Sequence, residues 1–141
     1  MNTLNEKMTV GELISSTNEI PTKKRLNISH AVRLTNIRIT PYSGVGKLIA
    51  TCVSNGKYQT AIELSDVRFS ENRTIVPESL DSYVRVKCSC PDFAYRFGRP
   101  DLQSKTLMLP YAVKPHGDTP GMCKHIHRLI DVVSNRGTTS M

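Results

Sequence analysis

Cys88 and Cys90 stand two positions apart, as do Cys123 and His125, with residues 91–122 between the pairs. Thiolate sulfur and imidazole nitrogen are donors that zinc takes at the corners of a tetrahedron, and a Cys₃His set is a closed shell of the structural kind. Two cysteines at i and i+2 of a strand project from one side, so both sulfurs reach a single ion. The bland alternative is that the cysteines are small buried residues, as free cysteine often is. Two such pairs rarely arise from packing alone, and a redox pair would be spaced Cys-x-x-Cys. Cys52, two residues after Ala50, reads as core.

The elements that must position these donors are a strand and a helix. Residues 82–90 alternate, with Val84, Val86, Cys88 and Cys90 on one face and Arg85, Lys87 and Ser89 on the other. Ile126, Leu129, Ile130 and Val133 recur at helical spacing, so residues 122–134 read as a helix with His125 in its first turn. On a helical projection His125 lies roughly 70° from the centre of the apolar stripe, whereas His127 lies roughly 130° away. His125 is therefore the expected fourth ligand and His127 a solvated helix histidine. His30 reads as structural, and His116 receives no assignment.

Upstream, residues 47–54 and 57–65 flank Asn55-Gly56, the strongest short-range signal for a hairpin. Val32, Leu34, Ile37 and Ile39 suggest a further strand running into a turn at Pro41-Tyr42-Ser43-Gly44. Thr9-Val10-Gly11-Glu12 has the form of a capping box, placing a short helix at about 9–16 that needs docking to persist. Residues 70–82 read as loop. Residues 92–121, with four prolines and three glycines, read as one long irregular connection of the kind that is often functional. The expected fold is α+β: an antiparallel β-meander plus a C-terminal helix, a ββα-like zinc module with a long loop insertion. Residues 1–30 form an N-terminal arm, 31–135 the zinc-binding domain and 136–141 a polar tail.

The chain of 141 residues is 38% hydrophobic and 6% aromatic, so its core is poor in large side chains and gains from a metal clamp. A net charge of +7 favours acidic partners, although the 19 Lys and Arg are scattered and the longest run is Lys23-Lys24-Arg25. The first ten residues carry Glu6 and Lys7 and no apolar run, so we expect no secretory signal, no membrane association and a cytoplasmic, reducing location. Four cysteines there speak for metal before disulfides.

Cys-x-Cys on a strand followed by Cys-x-His at a helix start resembles the SWIM-type zinc finger. The stretches Val86-Lys87-Cys88-Ser89-Cys90-Pro91-Asp92-Phe93 and Cys123-Lys124-His125-Ile126 carry the resemblance, together with the upstream hairpin ending in Tyr58. It spans about residues 45–133, and the 91–122 connection is long for the family. The resemblance implies one structural Zn²⁺ and an adapter that binds nucleic acid or protein, and small chains similar to this one occur in tailed phages.

Three functions are weighed. A nucleic-acid- or protein-binding adapter would use Arg85, Lys87, Lys124 and Arg128, whose bland reading is a solvated face. A structural subunit of a larger assembly, such as a tailed-phage virion, would place the chain in the virion among neighbouring subunits. An enzyme would need an open metal position or a catalytic motif; four ligands close the shell, Asp92 more simply caps a turn, and no phosphate loop, nucleophile elbow or carboxylate pair is visible. The expectation is a non-enzymatic module without a small-molecule substrate.

Overall fold

A computed structural model describes residues 7–18, 31–65, 67, 82–115, 117 and 119–136. The basic triplet 23–25, His30, His116, most of the 70–82 loop and the 137–141 tail lie outside the described residues. The order is α1 (Val10–Asn18), β1 (Leu34–Tyr42), β2 (Lys47–Ser54), β3 (Tyr58–Ser65), β4 (Tyr83–Cys88), α2 (Pro91–Arg96), α3 (Gly98–Gln103) and α4 (Lys124–Arg136). The four strands form one antiparallel sheet in the order β1-β2-β3-β4, so the fold is α+β with a meander, as expected.

The β2–β3 hairpin turns at Asn55 and Gly56, whose φ angles are 51° and 74°. Positive φ at both central residues matches the right-handed twist of the strands. Gly56→Ala places a Cβ where φ is left-handed and should cost about 1 kcal/mol. The check is the urea midpoint against wild type; an unchanged midpoint would mean that the turn carries no strain.

In β1 the alternation slips between Leu34 and Ile37. A bulge between Thr35 and Arg38, with Asn36 at φ 54°, absorbs the extra residue. Pro41 and Tyr42, expected in a turn, end β1 instead, and the turn is the 3₁₀ segment Ser43–Val45. An edge strand tolerates Pro41 because its missing N–H need not pair.

One face of the sheet is the core. Leu48, Ala50, Ile62, Leu64, Val84 and Val86 point there and meet Ile126, Leu129, Ile130 and Val133 of α4, all buried. Helix α1 forms with the expected box: Glu12 accepts from the Thr9 N–H at 2.9 Å, and the Glu12 N–H donates to Thr9 Oγ1 at 3.2 Å. Its docking is equally clear, for Val10 and Leu13 are fully buried. The free edge of β4 is covered at one end by residues 8–10 and in the middle by 106–108: Val84 donates to Met8, Val86 to Thr106, and Met108 to Val86.

Residues 92–121 correct the expectation of an irregular loop. They contain most of α2 and all of α3, and Leu107 pairs in parallel with Val86. Phe93 and Phe97, one helical turn apart, are fully buried with ring centroids 6.1 Å apart. Pro91 sits in the first turn of α2, where its absent N–H is harmless, and Pro100 falls near the start of α3 for the same reason. Pro91 and Pro100 thus open helices in a stretch expected to be irregular. Among the described residues no helix is long and apolar enough to cross a membrane.

Candidate metal centre

Three short pieces of backbone deliver the four donors. Cys88 is the last residue of β4. Cys90, expected on the same strand, lies beyond it and is the N-cap of α2, with φ −70° and ψ 152°. Pro91 enforces this break, and the Cys90 sulfur accepts the Phe93 N–H at 3.4 Å. Cys123 precedes α4 and its carbonyl accepts the His127 N–H, opening the helical ladder. His125 follows in the first turn; α4 begins at Lys124 rather than Met122.

The ligand atoms of Cys88, Cys90, Cys123 and His125 lie within 4.8 Å of one another, and all four residues are buried. His125 Nδ1 is 3.8 Å from the Cys88 sulfur and 3.7 Å from that of Cys123. A tetrahedral ion with Zn–S of about 2.3 Å and Zn–N of about 2.0 Å sets its donors roughly 3.5–3.8 Å apart. The cluster therefore has the composition and spacing to hold a metal ion. No protein-family model, curated protein or solved structure matches the chain.

The electrostatics fit a cation. Hydrogen bonds from Cys123, then from Cys90 and Thr60, draw the Cys88 thiol down to about 3. Burial pushes Cys123 well above the usual thiol range, and its hydrogen bonds with the neighbouring sulfurs push the same way. A bound cation favours thiolate over thiol, so a metal ion would offset the cost of burying charge at this site. Cys90 and Cys123 each sit at a helix start, where the backbone N–H groups favour negative charge.

A second layer orients the donors, and sequence reasoning missed it. Thr60 Oγ1 lies 3.3 Å from the Cys88 sulfur and 2.8 Å from Ser54 Oγ, all three buried. Tyr111 donates to the Cys88 carbonyl at 2.7 Å. Asn55 approaches His125 Nε2 at 3.4 Å, and the Tyr58 ring packs 5.0 Å from the imidazole. Such partners fix ligand rotamers. The available signal was Thr60, a lone hydroxyl in the apolar row of Tyr58, Ile62 and Leu64.

The segment before Cys123 is held from two sides. Ser16 of α1 donates to the Pro120 carbonyl at 2.7 Å, Thr17 accepts the Met122 N–H at 3.0 Å, and Asp101 of α3 accepts the Gly121 N–H at 2.8 Å. A Cβ at Gly121 would come within 2.5 Å of the Phe97 ring and 2.7 Å of Thr17 Oγ1, so only glycine passes there. Asp101 is fully buried and its second oxygen has no partner.

Burial holds the Asp101 carboxyl well above its ordinary value of 3.8. A raised folded pKa contributes stability that is complete below about pH 3.8 and is lost as pH rises through the folded value. Asp101→Asn keeps an oxygen for Gly121 and carries no charge. The stability of this variant minus that of wild type should therefore rise with pH and level off above the folded pKa. Urea unfolding of both proteins at fixed metal concentration, from about pH 5.5 to 8, reads this difference; a flat difference would show that Asp101 does not ionise with cost.

The other candidates separate. Cys52 is buried on the core face, outside the four-residue cluster. His127 is half-buried rather than solvated, and burial lowers its pKa. Arg85 and Lys87 project from the open face of the sheet, while Lys124 and Arg128 lie on α4, which packs on the opposite face. The four basic residues do not form one surface.

Proposed function

We propose that this chain is a non-enzymatic binding module, clamped by one structural Zn²⁺ on Cys88, Cys90, Cys123 and His125, whose work is to dock a nucleic acid. The observation that carries the zinc reading is the convergence of four buried donors, three of them thiols, from a strand end and two helix starts. Zinc suits soft sulfur and imidazole in a closed tetrahedron. The ion would join the sheet to α4 and close the 91–122 connection, offsetting its loop entropy. The chain-wide excess of positive charge supports the choice of a polyanion. Both features agree with the resemblance to SWIM-type zinc fingers, and a thiol-rich site of this kind works in a reducing compartment.

Elemental analysis of protein purified without added zinc, paired with light scattering on the eluting peak, tests the clamp. We expect one zinc per chain in a small, discrete species. A folded protein without zinc would overturn the reading, and a large particle would favour the assembly subunit. Nucleic-acid binding, read by anisotropy of a labelled oligonucleotide, should weaken steeply with salt. Salt-insensitive binding, or none, would point to a protein partner.

A further inference from the structure

The sheet has a second face, and among the described residues α4 does not cover it. Strand register places its residues in rows running from β1 to β4. The end row is Tyr42, Lys47, Ser65 and Tyr83; the next is Thr40, Ile49, Glu63 and Arg85; the third is Arg38, Thr51, Ala61 and Lys87. These rows carry four cations, and Glu63 is their one carboxylate, paired with Lys47 at 3.5 Å. Tyr42 and Tyr83, 47% and 39% exposed, stand on the two outer strands. At about 4.8 Å per strand they are roughly 14 Å apart.

Two depressions border this face. At the Tyr83 end a cleft of about 220 Å³ gathers Lys7, Lys47, Arg85 and Lys105 around Tyr83 and Glu63. Toward the metal end a hollow of about 310 Å³ is lined by residues that include Thr51, Gln59, Ala61, Lys87, Pro110 and Tyr111. One depression is basic, the other mostly apolar and bordered by a single lysine.

We infer that this open face is the binding site for single-stranded nucleic acid, with phosphates held by Arg38, Lys47, Arg85 and Lys87 and bases laid on Tyr83, on Tyr42 and in the apolar hollow. The inference rests on the nucleic-acid reading above and adds the place and the form of the ligand. Charge complementarity selects a polyanion, and exposed aromatic rings among the cations select unpaired bases, whose faces are free to stack. In a duplex those faces are occupied, and the tyrosines would have nothing to meet.

The test uses the full zinc-loaded chain, a labelled single strand of mixed sequence and the corresponding duplex. Single strand should bind tighter than duplex. Arg85→Gln/Lys87→Gln should lower affinity about tenfold or more at moderate salt and reduce the slope of log affinity against log salt by about 1.4, two contacts at about 0.7 each. Tyr83→Ala should lose at least about fivefold with the slope unchanged, as expected of stacking rather than charge. All three substitutions are on the open face, and zinc content with circular dichroism verifies that the variants are folded.

Wild-type binding that survives both sheet variants but is lost in Lys124→Gln/Arg128→Gln overturns the assignment of the face and leaves the nucleic-acid function standing. Equal affinity for duplex overturns the single-strand form. A wild-type chain that binds neither oligonucleotide overturns this inference together with the function on which it rests.

Discussion

Cys123→Ser should abolish the folded module. Cys123 is fully buried, and its sulfur faces His125 Nδ1 at 3.7 Å. Structural zinc in small modules is worth about 10–16 kcal/mol, which equals or exceeds the whole stability of a typical domain, about 5–15 kcal/mol. A serine hydroxyl is a poor zinc donor, and it would leave Cys88 and Cys90 as buried sulfurs around a partial shell. The expected result is a chain with less than one zinc and the circular dichroism of an unfolded or molten protein, and Cys88→Ser should behave alike. Chelation of the wild type should reproduce the same spectrum, which separates loss of the ion from loss of the side chain. His127→Ala, two residues beyond the ligand His125, should keep one zinc per chain and stay folded. A folded, metal-free Cys123→Ser protein would defeat the clamp.

Phe93→Ala should be the most costly change outside the ligands. Phe93 is fully buried, stacks edge-on to Tyr111 at 5.5 Å and packs on Phe97 at 6.1 Å. Its N–H also donates to the Cys90 sulfur, so the side chain anchors the turn that presents this ligand. Truncating a buried phenylalanine costs about 3–5 kcal/mol through lost transfer energy and the cavity left behind. With about 5–15 kcal/mol available, the variant should unfold at a clearly lower urea concentration. Tyr95→Ala, two positions away on the exposed side of α2, should shift stability by no more than about 0.5 kcal/mol. A Phe93→Ala loss below about 1 kcal/mol would mean that α2 does not support the site.

The four donors were legible because their types are rare and their spacing matches local geometry: i and i+2 around a strand end, and a pair at the start of a helix. The Asn55-Gly56 hairpin and the apolar stripe of α4 were legible for the same reason, since their signals lie within a few residues. The helices in 92–121 were hidden because six-residue helices carry too little periodicity to compete with Pro100 and Gly98. Their existence depends on Phe93 and Phe97 finding the core. The division of the basic residues was hidden too, because Arg85 and Lys124 are separated by the sheet, and only strand register and helix docking decide on which side each one stands.

What the sequence by itself determined, then, was the set of four candidate metal donors and the α+β class, both read from patterns among near neighbours along the chain. What only the tertiary structure decided was everything made by distant segments meeting. Thr60 and Ser54 support Cys88 because β2, β3 and β4 lie in one register. Ser16, Thr17 and Asp101 hold the approach to Cys123 because α1 and α3 dock against it. The open basic face exists because Leu48, Ala50, Ile62, Leu64, Val84 and Val86 on the sheet's other side are turned into the core. Contacts of this kind follow from how buried area is shared among elements, and no local pattern encodes that sharing.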